Sequence, residues 1–340
     1  MMQKLLVIRN DKLGDFMLIF PALALIKKAN PQLKITALVP KYTAPMAELC
    51  PYIDDIIIDV QDKKDKTQFK QVLQAIKAAH FDGVISFFSN WHNAKLVWLS
   101  GIKYRLAPAT KLAQLAYNHR LTQRRSRSLK PEFEYNLDLA RAFLQAQHLP
   151  ITEPHAPYLV VPQEILQAQK SKFQQQLGIV QNKKWIFLHS GTGGSANSLS
   201  LAQYAELIQD ILQQFDAYIV LTAGPNESEQ AHQLAQLVNN PNVVIYDKNE
   251  GLVDFTYSLA CADLFIAGST GPLHICGALN VPTIGFFPSH RSATPLRWQP
   301  INDPSRHLAF CPPNEEKELA NIQINKILPQ IQSFIVKQWA

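Results

Sequence analysis

The chain has 340 residues, of which 47% are hydrophobic and 18% are charged. This balance excludes an intrinsically disordered protein, and the length favours two α/β domains over a single core. No apolar run reaches the roughly 18 residues that a membrane-spanning helix needs, and the first ten residues lack the apolar core of a signal peptide. We therefore expect a cytoplasmic protein with no transmembrane segment.

The formal net charge is +6, and the densest group of basic residues lies between positions 120 and 130. Such a group can meet nucleic acid, an anionic lipid or a phosphorylated sugar, or it can be a solvated loop that keeps the protein soluble. The composition leaves these alternatives open. The four cysteines form no Cys-x-x-Cys pair and have no cluster of histidines beside them. Buried free thiols are therefore expected rather than disulfides or a zinc site.

In the first half of the chain, short apolar runs alternate with segments of helical periodicity. Strands are predicted at residues 4–9, 35–39, 56–60 and 83–88, and helices at 13–29, 44–49, 69–79 and 134–147. Pro21 predicts a start or a kink within the first of these helices. This alternation is typical of parallel βαβ units.

Residues 148–163 lose periodicity and contain four prolines, which predicts an interdomain linker. The alternation then restarts, with strands at 185–189, 218–222, 243–246, 264–267 and 283–287 and helices at 201–214, 228–238, 253–261 and 273–279. We predict an α/β protein with an N-terminal domain at 1–160, a C-terminal domain at 161–320 and a final amphipathic helix within 321–340 that packs back on the first domain. Two similar parallel-sheet domains would face a central cleft.

The loop after the first predicted strand, residues 9–15, carries polar side chains at the place where open parallel sheets bind ligands. Gly14 would allow a tight turn, and Asp15 would open the following helix. Asp15 is then either a helix cap or a functional carboxylate, and Asp11 is a second candidate carboxylate.

Two loops of the second half, residues 189–195 and 267–274, are rich in glycine and small hydroxyl residues and lie between a strand and a helix. Glycines let backbone N–H groups approach a phosphate, and the helix dipole favours negative charge. Neither loop is a P-loop or a G-x-G-x-x-G fingerprint, and a glycine-rich turn without a ligand is common. Together they predict a diphosphate site. The aromatic residues Trp91, Trp98, Tyr104 and Tyr117 are expected to pack in the core, although sugars also stack on such rings.

These loops, in this order, resemble glycosyltransferase family 9, the lipopolysaccharide heptosyltransferases. Residues 5–9, Leu13-Gly14-Asp15 and residues 21–23 are similar to the family's opening signature, and residues 189–191, 223–225 and 262–274 continue the match. The resemblance implies the GT-B fold of two Rossmann-like domains, an inverting reaction and no metal. It implies no cofactor beyond a nucleotide-diphosphate sugar as co-substrate.

Carried over by position, the resemblance makes Asp15 the catalytic base. The implied donor-binding residues are Thr192, Gly193, Asn197, Glu227, Ser269, Thr270, Gly271 and His274. The implied acceptor-binding residues are Gly14, Arg120, Arg124 and Arg127. The sequence departs from the family pattern at Asn197, where a Lys is usual, and at Ser269, where an Asp is usual. Both departures leave the donor's identity open.

The resemblance therefore predicts transfer of a heptose, most simply from ADP-heptose, onto a lipopolysaccharide core acceptor at the inner face of the inner membrane. An anionic glycolipid is the expected partner under this interpretation, and nucleic acid is not. Two alternatives remain open at this point. The same fold can use another nucleotide-sugar, or the chain can bind a nucleotide or glycan without transferring a sugar.

Overall fold

The computed structural model describes residues 2–60, 62, 65–180, 182–194, 197–313 and 318–340. Its contacts divide the chain into two compact units. The first consists of Met1–Ser126 and Lys130–Tyr158, and the second of Arg127–Leu129 and Leu159–Ala340. The change from one unit to the other at Tyr158 and Leu159 lies within the proline-dense segment.

A six-stranded parallel sheet forms the centre of the first unit, in the order β3-β2-β1-β4-β5-β6. Its strands are β1 (Lys4–Ile8), β2 (Lys34–Val39), β3 (Asp55–Ile58), β4 (Gly83–Ser86), β5 (Tyr104–Pro108) and β6 (His119–Leu121). The helices are α1 (Leu13–Met17), α2 (Phe20–Ala29), α3 (Ala44–Leu49), α4 (Lys66–Ala78), α5 (Trp91–Ser100) and α6 (Glu132–Ala146).

The helix predicted at residues 13–29 is two helices, α1 and α2. Pro21 occupies the first turn of α2, where its missing N–H costs nothing because that group has no partner within the helix. The sequence analysis did not predict α5, β5 and β6, because prolines and polar residues interrupt the periodicity there. Core packing is confirmed for Tyr117, whereas Trp91 and Trp98 on α5 are exposed.

A second six-stranded parallel sheet forms the centre of the second unit, in the order β12-β11-β10-β7-β8-β9. Its strands are β7 (Lys184–His189), β8 (Ala217–Thr222), β9 (Val243–Tyr246), β10 (Leu264–Gly268), β11 (Thr283–Phe286) and β12 (His307–Phe310). The helices are α7 (Gln163–Leu177), α8 (Leu201–Gln214), α9 (Ser228–Val238), α10 (Leu252–Leu259), α11 (Gly271–Ala278) and α12 (Ile324–Trp339). The sequence analysis missed α7 and β12.

The two sheets have the same connectivity. Counted within its own unit, each sheet has the strand order 3-2-1-4-5-6, the Rossmann order. In this order the chain builds one half of the sheet with its first three strands and then crosses over to place the fourth strand beside the first. The switch point lies between the first and fourth strands. The loops after those two strands therefore diverge and leave a crevice, which is where such sheets bind ligands. The two crevices lie beside β1 and β4 in the first unit and beside β7 and β10 in the second.

The C-terminal helix α12 belongs to the second unit. Ile331 and Ile335, one turn apart, are fully buried in the core that contains α8, and Gln332 donates a hydrogen bond of 2.9 Å to Asp210 on α8. This placement shows that the final helix packs within the second unit, and its packing on the first domain stays a prediction. The buried residues of α12 pack in one core with those of α8 and of the second sheet.

Three of the four cysteines are buried thiols, as predicted, and Cys311 is exposed. Burial raises the pKa of Cys50 and of Cys261 to about 12, and that of Cys276 well above its ordinary value. No helix in the described ranges is both long enough and apolar enough to cross a bilayer.

Candidate active site

Arg9, the residue after β1, is the centre of a group of charged side chains at the crevice of the first sheet. Its guanidinium donates to Asp11 Oδ1 at 2.9 Å, to Asp15 Oδ1 at 2.5 Å and to Glu132 Oε1 at 3.1 Å. Only 3% of the Arg9 side chain is exposed. Burial lowers the pKa of this guanidinium, but the three carboxylates outweigh burial and raise it above its ordinary value. Arg9 is therefore a fixed positive charge that orients three acids.

Asp15 is held through one carboxylate oxygen and open at the other. Oδ1 accepts the hydrogen bond from Arg9, while Oδ2 has no hydrogen-bond partner among the described residues. Oδ2 is also not completely buried. Asp15 does not cap α1, because Lys12 occupies the N-cap position. The carboxylate is thus fixed in direction and free to accept one further hydrogen bond.

Gly14 lies inside α1, between Leu13 and Met17. The predicted tight turn at this position is wrong, because the backbone of Gly14 is helical and has no positive φ.

Asp11 is the second carboxylate of this group. Burial raises its pKa to about 6, against the attraction of Arg9, which lowers it, and with the repulsion of Asp15, which raises it further. Its backbone carbonyl accepts a hydrogen bond from the Tyr42 hydroxyl. Asp11 therefore changes charge close to neutral pH beside the predicted base.

The same loop is fixed from the other side by a buried polar network. Asn10 donates to Asp59 Oδ2 at 2.5 Å and to Asn93 Oδ1 at 2.7 Å, and Asn93 donates back to Asn10 at 2.8 Å. His92 contacts the other Asp59 oxygen at 2.8 Å. These bonds join the ends of β1 and β3 to the start of α5, so the backbone that carries Arg9 and Asp11 cannot shift independently of the sheet.

Sequence analysis missed Glu132, Asn136 and the role of Arg125. Arg125 donates to Glu132 Oε1 at 2.6 Å and to Asn136 Oδ1 at 3.4 Å, so Glu132 bridges Arg125 and Arg9. Glu132 follows Pro131 at the start of α6, where the sequence shows only an ordinary acidic first turn. The sequence therefore carries no signal that Glu132 is buried, because an acid in the first turn of a helix is ordinarily exposed and stabilised by the helix dipole.

The predicted acceptor-binding arginines do not join the Arg9 group. Arg120 on the edge strand β6, Arg124 and Arg127 are all exposed, and none forms an ion pair within the described part of the chain. The neighbouring Arg125 is the member of this basic segment that turns inward. The role of the other three in acceptor binding stays a prediction.

In the second unit, the loop after β7 is organised by Glu227. Its carboxylate accepts hydrogen bonds from the N–H groups of Gly193 at 2.6 Å and Gly224 at 2.9 Å, and lies 3.5 Å from His189 Nε2. A side chain at Gly191 would overlap the Glu227 carboxylate. Glycine at 191 therefore allows the Glu227 carboxylate to approach the backbone closely, a role that the sequence pattern did not predict.

Further contacts hold the backbone of the predicted donor loop in place. Gly193 and Gly194 both have positive φ, and the Gly194 N–H donates to the Thr192 hydroxyl at 3.2 Å. The backbone of Asn197 lies against Gly268, where an added Cβ would stand 3.2 Å from the Asn197 carbonyl oxygen. The loops after β7 and β10 therefore meet at Gly268. Ser195, which the prediction placed in this loop, lies outside the described residues.

The loop after β10 leads into α11 through Ser269 and Thr270. Thr270 is the N-cap residue, but its hydroxyl donates to the Gly268 carbonyl at 3.3 Å and does not cap the helix. Gly271 begins the helix and is followed by Pro272. The positive end of α11 is consequently left without a side-chain cap, a geometry that suits an anion.

His274 is buried in the first turn of α11. Burial, and then the neighbouring His307, lower its pKa to about 3, and its Nδ1 has no partner among the described residues. His274 is therefore neutral at physiological pH. It can hydrogen-bond an anion without adding a positive charge to the second unit.

The structure thus brings the predicted donor residues together around β7 and β10. Asn197 approaches Gly268, Ser269 and Thr270 follow it, and Glu227 organises Gly193 from the side of β8. What this arrangement offers chemically is a set of backbone N–H groups, one helix N-terminus and a neutral histidine. The first unit offers a fixed carboxylate instead.

Comparison with known proteins identifies the family of the chain. A family model described as Glycosyltransferase family 9 (heptosyltransferase) matches residues 69–327, a range that does not include the Asp15 loop. A Haemophilus influenzae protein assigned as a glycosyltransferase is 61% identical over 341 residues, which cover 99% of this chain and 98% of that protein. Lipopolysaccharide heptosyltransferase 3 of Escherichia coli is 23% identical over 287 residues, which cover 81% of this chain and 80% of that protein.

Solved structures show the same fold. The Escherichia coli ADP-heptose lipopolysaccharide heptosyltransferase II superimposes with a TM-score of 0.80 at 16% identity, covering 99% of this chain and all of that one. An Escherichia coli heptosyltransferase solved with ADP gives a TM-score of 0.76 at 19% identity, covering 98% of this chain and all of that one. The two Rossmann-like units have the GT-B fold, and the chain belongs to glycosyltransferase family 9, the heptosyltransferase family.

Proposed function

We propose that this chain transfers a heptose from ADP-heptose onto a lipopolysaccharide core acceptor, with inversion at the anomeric carbon. Family membership supports sugar transfer in general. The relatives support the finer statement through their names, which designate lipopolysaccharide and lipooligosaccharide heptosyltransferases. The proposed acceptor is an anionic glycolipid at the cytoplasmic face of the inner membrane, bound in part by Arg120, Arg124 and Arg127.

In the proposed reaction, Asp15 Oδ2 accepts the proton of the acceptor hydroxyl as that oxygen attacks the anomeric carbon of the donor. The new carbon–oxygen bond forms on the face opposite to the diphosphate, so the configuration inverts as the bond to the leaving oxygen breaks. The negative charge that develops on the diphosphate would meet the uncapped N-terminus of α11, Thr270 and neutral His274. We propose that no divalent cation takes part, so that addition of EDTA leaves the rate unchanged.

One observation carries this proposal: Arg9 fixes one oxygen of Asp15, and the other oxygen has no hydrogen-bond partner in the part of the chain that the structure describes. A general base must present an unshared lone pair in a defined direction, and Asp15 meets this requirement. Asp11 is also bound by Arg9 through one oxygen, and its pKa near 6 would suit a base as well. We assign the proton transfer to Asp15 because the resemblance to glycosyltransferase family 9 places the base at this position.

The test is the Asp15→Asn variant, assayed for ADP release from ADP-heptose in the presence of acceptor. Loss of the base is expected to lower the turnover rate by about two to four orders of magnitude. Thermal stabilisation by ADP should remain, because the donor loops lie in the other unit. The matched control is Glu48→Gln, an exposed acid on α3. Unchanged turnover in the Asp15→Asn variant would remove this residue from the mechanism.

The donor is the part of the proposal that Asn197 and Ser269 leave most open, because both replace charged residues of the family pattern with neutral ones. A different nucleotide-sugar is therefore the second candidate. Thermal stabilisation by ADP, UDP and GDP separates the two, since a ligand at 100 times its dissociation constant adds about 2.7 kcal/mol. Stronger stabilisation by UDP or GDP than by ADP would replace ADP-heptose with another donor. Product formed from any of these donors would exclude a purely binding role.

A further inference from the structure

The positive charge of the chain is concentrated in one continuous segment. Residues 83–131 contain nine of the 33 basic residues and none of the 27 acidic ones, so the rest of the chain holds 24 basic residues against 27 acidic ones. Two of the nine donate hydrogen bonds within the protein, Arg105 to the Ala116 carbonyl and Arg125 to Glu132. Lys95, Lys103 and Lys111 are exposed. Within this segment, Lys95, Lys103 and Lys111 therefore present positive charge on and next to α5, where it acts over a Debye length of about 10 Å.

The same segment exposes large apolar side chains. Trp91 and Trp98 lie seven residues apart on α5, two helical turns on one face, with Lys95 between them. Leu112 and Leu115 lie three residues apart on the 3-10 helix Leu112–Ala116 and share a face in the same way. Between 61% and 67% of the surface of each of these four apolar side chains is exposed. Isolated exposed apolar residues are normal, but four in one basic segment are not.

The two groups of exposed residues lie on neighbouring elements, because the 3-10 helix packs against α5 and Arg105 contacts both. The Arg105 guanidinium lies over the Trp98 ring at 5.6 Å and donates to the Ala116 carbonyl at the end of the 3-10 helix at 2.8 Å. We call this surface the α5 face, defined by Trp91, Lys95, Trp98, Leu112 and Leu115.

We propose that the α5 face docks on the surface of a lipid bilayer that contains anionic lipids. Indole rings favour the boundary between headgroups and acyl chains, leucine tips enter the apolar layer, and lysines meet the negative headgroups. The choice of a bilayer rests on the proposed function, since a lipid-linked acceptor lies in such a surface. A single-stranded nucleic acid would use the aromatic rings for stacking but would gain nothing from Leu112 and Leu115.

The test is flotation of the full-length chain with vesicles of phosphatidylcholine alone and of phosphatidylcholine mixed with phosphatidylglycerol. The chain should float with the mixed vesicles and not with phosphatidylcholine alone, and added salt should release it. A variant with Trp98→Ser and Leu115→Ser should partition roughly tenfold less, because its apolar contact with the acyl layer is lost. The matched control is Leu237→Ser with Val336→Ser, two residues of the second unit that are more than half exposed.

A second variant, Lys95→Glu with Lys103→Glu, tests the electrostatic part without removing apolar contacts, and thermal unfolding of each variant checks that it is folded. Equal flotation of the wild type and both variants would overturn the proposal. So would tight binding to an oligouridine RNA that the Trp98 and Leu115 changes abolish, with no flotation, because the surface would then bind nucleic acid.

Transfer to a water-soluble, deacylated core acceptor separates this proposal from the proposed function. The α5-face variants should transfer to this acceptor at the wild-type rate. If the wild type floats but transfers from no nucleotide-sugar, the proposed function fails and the docking surface stands. If it transfers normally but does not float with anionic vesicles, the docking surface fails alone.

Discussion

The crevices of the two sheets have the same topology but opposite chemistry. Beside β1 and β4, the crevice is filled with charged side chains, in which one buried arginine meets three carboxylates. Beside β7 and β10, it is lined by glycines, backbone N–H groups and a neutral histidine, with one acid that organises a loop. A catalytic base needs a side chain held in direction, whereas a diphosphate needs space and donors. The Rossmann order fixes where each crevice lies, and the loop residues decide what it does.

The largest effect is expected from a substitution that removes the central charge of the crevice beside β1 and β4. Arg9→Met leaves three carboxylates around a buried site without their common partner, so we expect a loss of about 3–5 kcal/mol in the free energy of unfolding, measured by urea denaturation. The matched control is Arg141→Met. Arg141 also contacts three carboxylates, Glu134, Asp138 and Glu153, but 27% of its side chain is exposed, and we expect a loss of about 1 kcal/mol or less. Equal losses would show that burial is not what distinguishes Arg9.

The next largest effect is expected at His274, the neutral histidine of the crevice beside β7 and β10. Its pKa in the folded protein is about 3, below the ordinary histidine value, so the unfolded chain takes up a proton between pH 6.5 and 3 that the folded chain does not. The free energy of unfolding should therefore fall as the pH falls through this window. Between pH 6.5 and 5, the free energy of unfolding of His274→Asn, measured by urea denaturation, should fall by about 1.5 kcal/mol less than that of the wild type. Parallel curves for the two proteins would mean that His274 is not held neutral.

Asp11 gives a smaller effect of opposite sign. Its pKa in the folded protein is about 6, above the ordinary aspartate value, so between pH 4 and 6 the folded chain holds a proton that the unfolded chain has lost. Stability should fall as the pH rises through this window. Asp11→Asn keeps an acceptor for Arg9 and removes the titration. We expect the stability of this variant relative to the wild type to rise by about 1 kcal/mol between pH 4 and 5, by the same measurement.

The smallest effect is expected from a substitution that displaces Glu227, the acid of the glycine-lined crevice. Gly191→Ala should push the Glu227 carboxylate away from the Gly193 and Gly224 N–H groups, at a cost of about 0.5–1 kcal/mol, because the end of a flexible side chain can move. Combining Gly191→Ala with Glu227→Ala removes the overlap, so the two changes should be less than additive in thermal unfolding. Full additivity would show that the glycine serves something other than Glu227.

Most of the second sheet was predictable from the sequence, because its strands are short apolar runs bounded by clear helices. The prediction of α8 at 201–214 and of α9 at 228–238 matches the structure at both ends, and each helix has a strong apolar periodicity. The elements α5, β5, β6, α7 and β12 were missed. Their strands are edge or near-edge strands of three to five residues, and their sequences contain prolines or polar residues that hide the pattern.

The position of the candidate site was predictable, but its internal contacts were not. Loops at 9–15, 189–195 and 267–274 were expected to line the crevices because they follow strands, and the order of the strands places them there. Arg9 joins Glu132 across 123 residues, and Glu227 joins Gly193 across 34. Such long-range pairs leave no mark in local periodicity. Nothing in the sequence distinguishes the inward Arg125 from the exposed Arg124 beside it.

The uneven burial of the thiols has a practical consequence. Three sulfhydryls are sealed in the two cores with strongly raised pKa values, whereas Cys311, directly after β12, is open to solvent. A maleimide dye or a nitroxide spin label should therefore attach at one place in the unaltered protein. That single reporter would follow nucleotide arrival at the second unit by fluorescence or electron paramagnetic resonance, without any engineered cysteine.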